Sequence, residues 1–177
     1  MFMKESDAFV LLPGGYGTLD EGFELLTLMQ TGKTAIRPVV LLEEAGGTYW
    51  DEWLAFVQEH LVERGFSSPE DLALVQKCER VGEAIDVIER FYANYHSARY
   101  VGERLILRLK RAPSKQQIAR LNAGFGDLLA RGRIERVPIT PAEAKENDAA
   151  GFERIALYPT FNFGRVRQLI DALNRIE

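Results

Sequence analysis

The residues Pro13-Gly14-Gly15-Tyr16-Gly17-Thr18-Leu19-Asp20-Glu21 combine glycine, hydroxyl and carboxylate groups within a single short segment. They follow the apolar run Ala8-Phe9-Val10-Leu11-Leu12 and precede a helical pattern. A strand that runs through a glycine turn into a helix presents free backbone N–H groups at the positive end of the helix dipole, which suits phosphate. Gly14, Gly15 and Gly17 have no side chains to block an anion or forbid unusual dihedrals. Thr18 reads as the helix cap and adds a hydroxyl donor. Glu21 has two readings of equal weight. Thr18-x-x-Glu21 has the form of a capping box, in which the carboxylate bonds back to the helix start. Beside a bound sugar phosphate, the same carboxylate could instead assist cleavage of a glycosidic bond.

The elements that must position this segment read as β-α repeats. Ala8–Leu12 and Pro38–Leu42 are continuous apolar runs ending at glycine-rich turns, the pattern of strands buried on both faces. Leu72–Val75 reads as a short third strand. A helix is expected from about Leu19, with Leu19, Phe23, Leu26 and Gln30 on one stripe and a stop at Thr31-Gly32. Trp50, Trp53, Leu54, Val57, Leu61 and Val62 predict a second helix that ends at Gly65. Ala84, Val87, Ile88, Phe91 and Tyr95 predict a third. Alternation of this kind implies a parallel sheet with right-handed crossovers. Three such strands are few for a doubly wound domain, so the reading expects an N-terminal half in addition, or a partner covering the open edge.

After Ser97 the pattern changes. Leu105, Leu107 and Leu109 alternate with Arg104, Arg108 and Lys110, as in a half-buried strand. Ser114 and Gln117 form a capping box ahead of a helix carrying Ile118, Leu121, Phe125 and Leu128, with Gly132 as its stop. Strands are expected around Ile134–Val137 and Arg154–Tyr158, and a last helix carries Val166, Leu169, Ile170, Leu173 and Ile176. The polar stretch from Pro138 to Gly151 reads as a mobile loop. The expected fold is therefore α/β: a partial doubly wound, Rossmann-like parallel sheet over residues 1–96, then a small α+β domain (β-α-β-β-α) over 97–177.

The 177 residues are 46% apolar and 27% charged, which fits a globular chain, and no apolar run approaches the length of a membrane span. Met1–Asp7 lacks the pattern of a signal peptide. One cysteine, Cys78, allows no internal disulfide and suits a cytoplasmic location. Cys78 with His60 and His96 offers little for a metal, and the expected roles are a core thiol and two helix-surface imidazoles. The net charge of −4 conceals a split: 15 Lys and Arg against 9 Asp and Glu from Ser97 onward, and 7 against 17 before it. A basic second half could meet something acidic, including its own acidic neighbour. Nucleic-acid contact through Arg104, Arg108, Lys110 and Arg111 is a weaker reading, because the stretch lacks interleaved aromatics.

The motif resembles the PGGxGTxxE signature of the Lonely Guy (LOG) family, the cytokinin riboside 5′-monophosphate phosphoribohydrolases, whose members are often labelled lysine decarboxylases. Ser6-Asp7-Ala8-Phe9, Glu24 and Gln30-x-Gly32 match as well, and the resemblance runs from Met1 to about Tyr95. It implies hydrolysis of the N-glycosidic bond of a nucleoside 5′-monophosphate to base and ribose 5-phosphate. By position, Gly14, Gly15, Gly17 and Thr18 would hold the 5′-phosphate and Glu21 would be the catalytic carboxylate. Asp20 would serve the surface or the helix dipole. The resemblance implies no metal or organic cofactor, a homodimer and no membrane partner. It carries no sign of a pyridoxal-phosphate lysine site. In the family an arginine in an Arg-Lys pair, and a glycine-rich segment, lie upstream of this strand; by alignment both fall before Met1. Lys4 is the nearby cation and lacks the guanidinium fork. The expectation is a truncated or partial form of the enzyme, the alternative a non-catalytic nucleotide- or phosphate-binding module of the same fold.

Overall fold

A computed structural model describes residues 5–139, 143–144 and 151–176. The chain divides into two compact units, residues 1–90 with 162–167 and residues 91–161 with 168–177. The first unit contains β1 (Phe9–Leu11), α1 (Tyr16–Gln30), β2 (Val39–Leu42), α2 (Tyr49–Phe56), β3 (Val75–Cys78) and α3 (Val81–Phe91). Its sheet has the order β1-β2-β3 and is parallel throughout, with Val10 opposite Val40 and Val40 opposite Gln76. The central strand is the most deeply buried, and its Val39, Val40 and Leu41 are fully enclosed. β1 has a neighbour on one side, and its Val10 is 44% exposed.

Three elements of the first unit differ from the sequence expectation. α1 starts at Tyr16, three residues before Leu19, because the extended Gly15 already gives its carbonyl to Leu19 N. Its buried face is Gly22, Leu25 and Met29, not the stripe through Phe23, Leu26 and Gln30. Gly22 allows this rotation: a Cβ there would lie 3.2 Å from Leu11 Cδ1, so the helix sits close on β1. The displaced stripe lines a cavity of about 270 Å³ with Trp53 and Val57. The third strand is shifted to Val75–Cys78, because Pro69–Leu74 forms a 3-10 helix. Ser68 and Asp71 cap that helix reciprocally and Pro69 opens it, start signals that outweigh the apolar run behind them. The second helix continues from α2 as a π-helical segment over Val57–Val62 before Gly65, which has φ +76°. Tyr95 opens a strand rather than closing α3.

Thr31-Gly32 does end α1. Gly32 has φ +68°, and a Cβ there would fall 2.2 Å from the Phe163 ring, so two independent constraints require glycine. Cys78 is a core thiol, as expected, packed with Val40, Ala84 and Val87, and burial pushes its pKa up.

The second unit contains β4 (Tyr95–Val101), β5 (Arg104–Leu109), α4 (Lys115–Gly124), β6 (Leu129–Arg136), β7 (Glu153–Pro159) and α5 (Phe163–Asn174), whose first residues cluster with the first unit. The sheet is antiparallel with the order β4-β5-β7-β6, one strand more than β-α-β-β-α. The mixed α/β class holds, with a parallel sheet followed by an antiparallel one. The Ser114–Gln117 capping box is formed as expected, with Gln117 N donating to Ser114 Oγ and Ser114 N to Gln117 Oε1. α4 nevertheless stops at Gly124, and Gly132, at φ +70°, lies within β6, where the register with β7 slips between Arg131 and Glu135. His96 lies on β4 against Phe152, not on a helix. Of the loop expected over 138–151, residues 140–142 and 145–150 lie outside the described residues.

β5 is buried on both faces, not one. Leu105 and Leu107 face the same side as Leu157 and Ile155, while Ile106 and Arg108 share the other with Ala156 and Arg154. The buried polar members of that second face are paired. Arg108 Nε lies 2.9 Å from Glu143 Oε1 and Arg154 Nε lies 3.2 Å from both Glu143 oxygens, with Glu143 fully enclosed. Arg104 pairs with Glu135, Lys110 donates to Tyr92 O, and Arg111 donates to Ile176 O. The four cations considered for nucleic acid are thus all engaged inside their own unit. No described helix is long and apolar enough to cross a membrane.

Candidate functional site

The glycine turn joins the carboxyl end of β1 to the first turn of α1, where ligands bind in open α/β sheets. Gly15 is the N-cap, with extended φ −89° and ψ −157°, and no side chain caps the helix. The first helical bond runs from Leu19 N to Gly15 O. The amides of Tyr16, Gly17 and Thr18 therefore precede it and have no partner within the helix. Pro13 through Gly17 are all exposed, so these groups open to the surface.

The three glycines serve different ends. A Cβ at Gly14 would meet Thr18 Oγ1 at 2.1 Å, so glycine at 14 is set by the Thr18 side chain folding over it. At Gly15 and Gly17 a Cβ would meet nothing within 4 Å. Their missing side chains leave space above the free amides that no group of the described residues fills. None of the three has a positive φ, so the turn does not depend on unusual dihedrals.

Thr18 stands at the third helical position, not at the cap. That removes the capping-box reading of Glu21, whose carboxylate has no hydrogen bond or ion pair among the described residues. Glu21 is exposed and lies one turn beyond Gly17, on the same face, about 6 Å along the axis. Asp20 is exposed beside it. The helix thus brings together free amides, open space over Gly17 and an unpaired carboxylate.

A second cluster adjoins the turn that the sequence reading did not single out. Glu43, at the end of β2, is 5% exposed, and its carboxylate accepts from Tyr49 N at 3.0 Å and Trp50 N at 3.1 Å. It therefore caps α2 from a distance, with the anion at the helix N-terminus as the dipole favours. Gly47 makes room, since a Cβ there would lie 2.4 Å from Glu43 Oε2. Lys77 on β3 lies 3.3 Å from Glu43 Oε1 and 2.6 Å from Asp51 Oδ2. The Asp51 bond is the main reason its pKa stands above the usual lysine value, with Glu43 adding to it against the cost of burial. The Tyr49 hydroxyl donates to Gly14 O at 2.7 Å. Leu12, Pro13, Glu43, Tyr49 and Glu79 border an open cleft of about 680 Å³ at the carboxyl ends of the strands. The signal for this cluster was present in Gly46-Gly47, a second strand-to-helix turn closed by glycines, but its polar partners come from three separated segments.

Gln30, which matches the family pattern, donates to Asp71 Oδ2 at 2.6 Å and ties the end of α1 to the 3-10 helix, a structural role. Among the described residues no group of three or more His, Cys, Asp or Glu side chains is placed to hold a metal ion.

Comparison with known proteins falls on this same unit. Residues 1–88 match the family model described as "Possible lysine decarboxylase". The chain is 40% identical over 93 residues to a rice protein named "Probable cytokinin riboside 5′-monophosphate phosphoribohydrolase LOGL3", covering 52% of this chain and 42% of the relative. An Arabidopsis thaliana protein named "Cytokinin riboside 5′-monophosphate phosphoribohydrolase LOG3" is 39% identical over 88 residues, 50% of this chain and 39% of its own. The chain thus spans about two fifths of the length of these relatives. With the signature at Pro13–Glu21 standing on the turn and helix just described, the chain belongs, through residues 1–88, to the Lonely Guy family.

Proposed function

We propose that the protein acts on a nucleoside 5′-monophosphate as a phosphoribohydrolase, cleaving the bond between base and ribose. The observation that carries the reading is the uncapped start of α1: free amides at Tyr16–Thr18, open space over Gly15 and Gly17, and Glu21 one turn along the same face. Gly14, Gly15, Gly17 and Thr18 hold the 5′-phosphate through backbone amides, the Thr18 hydroxyl and the helix dipole. Glu21 faces the ribose, where its carboxylate stabilises the oxocarbenium-like sugar or orients the attacking water. The C1′–N bond breaks, a C1′–O bond to water forms, and the base nitrogen leaves with a proton. Nothing in this scheme calls for a metal or organic cofactor. A homodimer and a cytoplasmic location go with the reading. So does a division of labour, with residues 1–96 carrying the nucleotide chemistry and 97–177 forming a basic α+β extension.

Release of adenine and ribose 5-phosphate from AMP tests it, with a cytokinin riboside 5′-monophosphate as the second substrate. Glu21→Gln is expected to lower kcat by about 10²–10⁴-fold while the melting temperature stays unchanged. Undiminished turnover in that variant overturns the catalytic role. The exposed, unpartnered state of Glu21 favours a second reading, a module that binds the nucleotide without cleaving it. Calorimetric AMP binding with no turnover selects that reading.

A further inference from the structure

The glycine turn is tethered by a side chain from an element 35 residues away, and that tether ends a chain of contacts running back into the sheet. Lys77 on β3 pairs with the buried Glu43 at the end of β2, and Glu43 holds the backbone amides of Tyr49 and Trp50. The first turn of α2 is thereby fixed to the carboxyl ends of two strands. Tyr49 packs edge-on against the enclosed Trp50, ring centroids 4.8 Å apart, which fixes its ring. From there its hydroxyl reaches across to the Gly14 carbonyl at 2.7 Å.

The consequence follows from peptide geometry. The Gly14–Gly15 peptide is trans, as are all the described peptide bonds, so its N–H points opposite to its C=O. With the carbonyl held by Tyr49, the Gly15 N–H is turned away from Tyr49. Gly14 and Gly15 lack the side chains that would restrict rotation of this peptide, and Gly15 has open space around it. Without the tether the peptide is free to rotate and direct its carbonyl dipole toward an anion.

We propose that Tyr49 is a positioning residue for the phosphate turn, holding the Gly14–Gly15 peptide so that its amide joins those of Tyr16, Gly17 and Thr18. The proposal rests on the nucleotide reading of Pro13–Glu21. Tyr49 acts through the backbone and need not touch the phosphate. Its effect belongs to ligands that carry a phosphate and not to the rest of the nucleotide.

Tyr49→Phe tests this in the full chain, because it keeps the ring against Trp50 and removes the hydroxyl alone. Binding of AMP, ribose 5-phosphate and adenosine is measured by calorimetry beside the melting temperature. The loss of one hydrogen bond predicts about 2–10-fold weaker binding of both AMP and ribose 5-phosphate, with adenosine and the melting temperature unchanged. Equal affinity of the variant and the parent for AMP overturns the positioning role and leaves the nucleotide reading standing. A parallel loss for adenosine, or a lowered melting temperature, overturns it in favour of a structural role. Failure of the parent chain to bind either phosphate-bearing ligand overturns the nucleotide reading, and the proposal with it.

Discussion

Around Gly15 the first unit leaves three backbone amides, the half-buried Thr18 hydroxyl and the exposed Glu21 carboxylate without partners of their own among the described residues. Around Glu143 the second unit encloses two guanidinium groups on one carboxylate, with Arg108, Arg154 and Glu143 all 7% exposed or less. Both regions gather polar groups on a structured scaffold. In the second the hydrogen-bonding capacity of the carboxylate is taken up by neighbours, and its disruption should register as instability. In the first the capacity is vacant, and its disruption should register in ligand binding. Charge alone does not separate the two, since the more strongly charged cluster is the internal one. What separates them is whether a group's partners are part of the protein.

The largest effect that tests this contrast comes from Glu143→Gln. Removing one partner of a buried ionic cluster leaves charges uncompensated, and arginine cannot discard its proton. The expected cost is about 3–5 kcal/mol, read from denaturant unfolding, with AMP affinity unchanged. A neutral result would mean that Arg108 and Arg154 are solvated after all, and the contrast would lose one side.

Next in size is a pair of alanine substitutions three residues apart. Gly14→Ala drives a methyl into Thr18 Oγ1, and relieving that overlap should cost about 1–3 kcal/mol in stability. Gly17→Ala meets no atom of the described residues within 4 Å and sits inside α1, so it should stabilise the helix by about 0.5–1 kcal/mol. If the space over Gly17 receives a phosphate, the second variant also binds AMP more weakly, despite its higher melting temperature. Stability and affinity moving in opposite directions would identify a position reserved for a ligand. Stability alone rising would reduce Gly17 to an ordinary residue of the first helical turn.

How much of this was legible in the sequence depended on the range of the interactions involved. Val39–Leu42 and the Ser114–Gln117 box could be read because apolar continuity and reciprocal capping are local. The sequence places the start of α1 too late because threonine is a good cap, and the extended Gly15 that outcompetes it carries no side-chain signal. Leu72–Val75 has the apolar continuity of a strand, but the 3-10 helix capped by Ser68 and Asp71 takes its first three residues. Pro13–Glu21 was recognisable as a site from glycine spacing and family signature, yet the distinct reasons for Gly14 and Gly17 required knowing what surrounds each. Tyr49, Glu43 and Lys77 were not legible at all as a unit. They lie 28 to 34 residues apart at the extremes, and only the parallel register of β2 and β3 brings them together.

The smallest effect completes the contrast within the second unit itself. Arg131 Nη2 lies 2.6 Å from Glu103, a shorter separation than any Arg–Glu143 distance, but both side chains are mostly exposed, at 61% and 78%. If distance governed the energetics, Arg131→Ala would rival Glu143→Gln. Solvent screening and the entropy of holding two long side chains instead limit an exposed pair to about 0–1 kcal/mol. Arg131 also lies over the Tyr158 ring at 4.4 Å, a contact worth about 0.5–1 kcal/mol at an exposed site. Arg131→Lys separates these contributions, because it keeps the charge but loses the planar stacking. We expect Arg131→Ala to lower stability by about 1 kcal/mol and Arg131→Lys to recover part of that, with added salt weakening the parent toward the alanine variant. A loss above about 3 kcal/mol would show that this edge of the sheet is as desolvated as the Glu143 cluster, and burial would no longer distinguish the two.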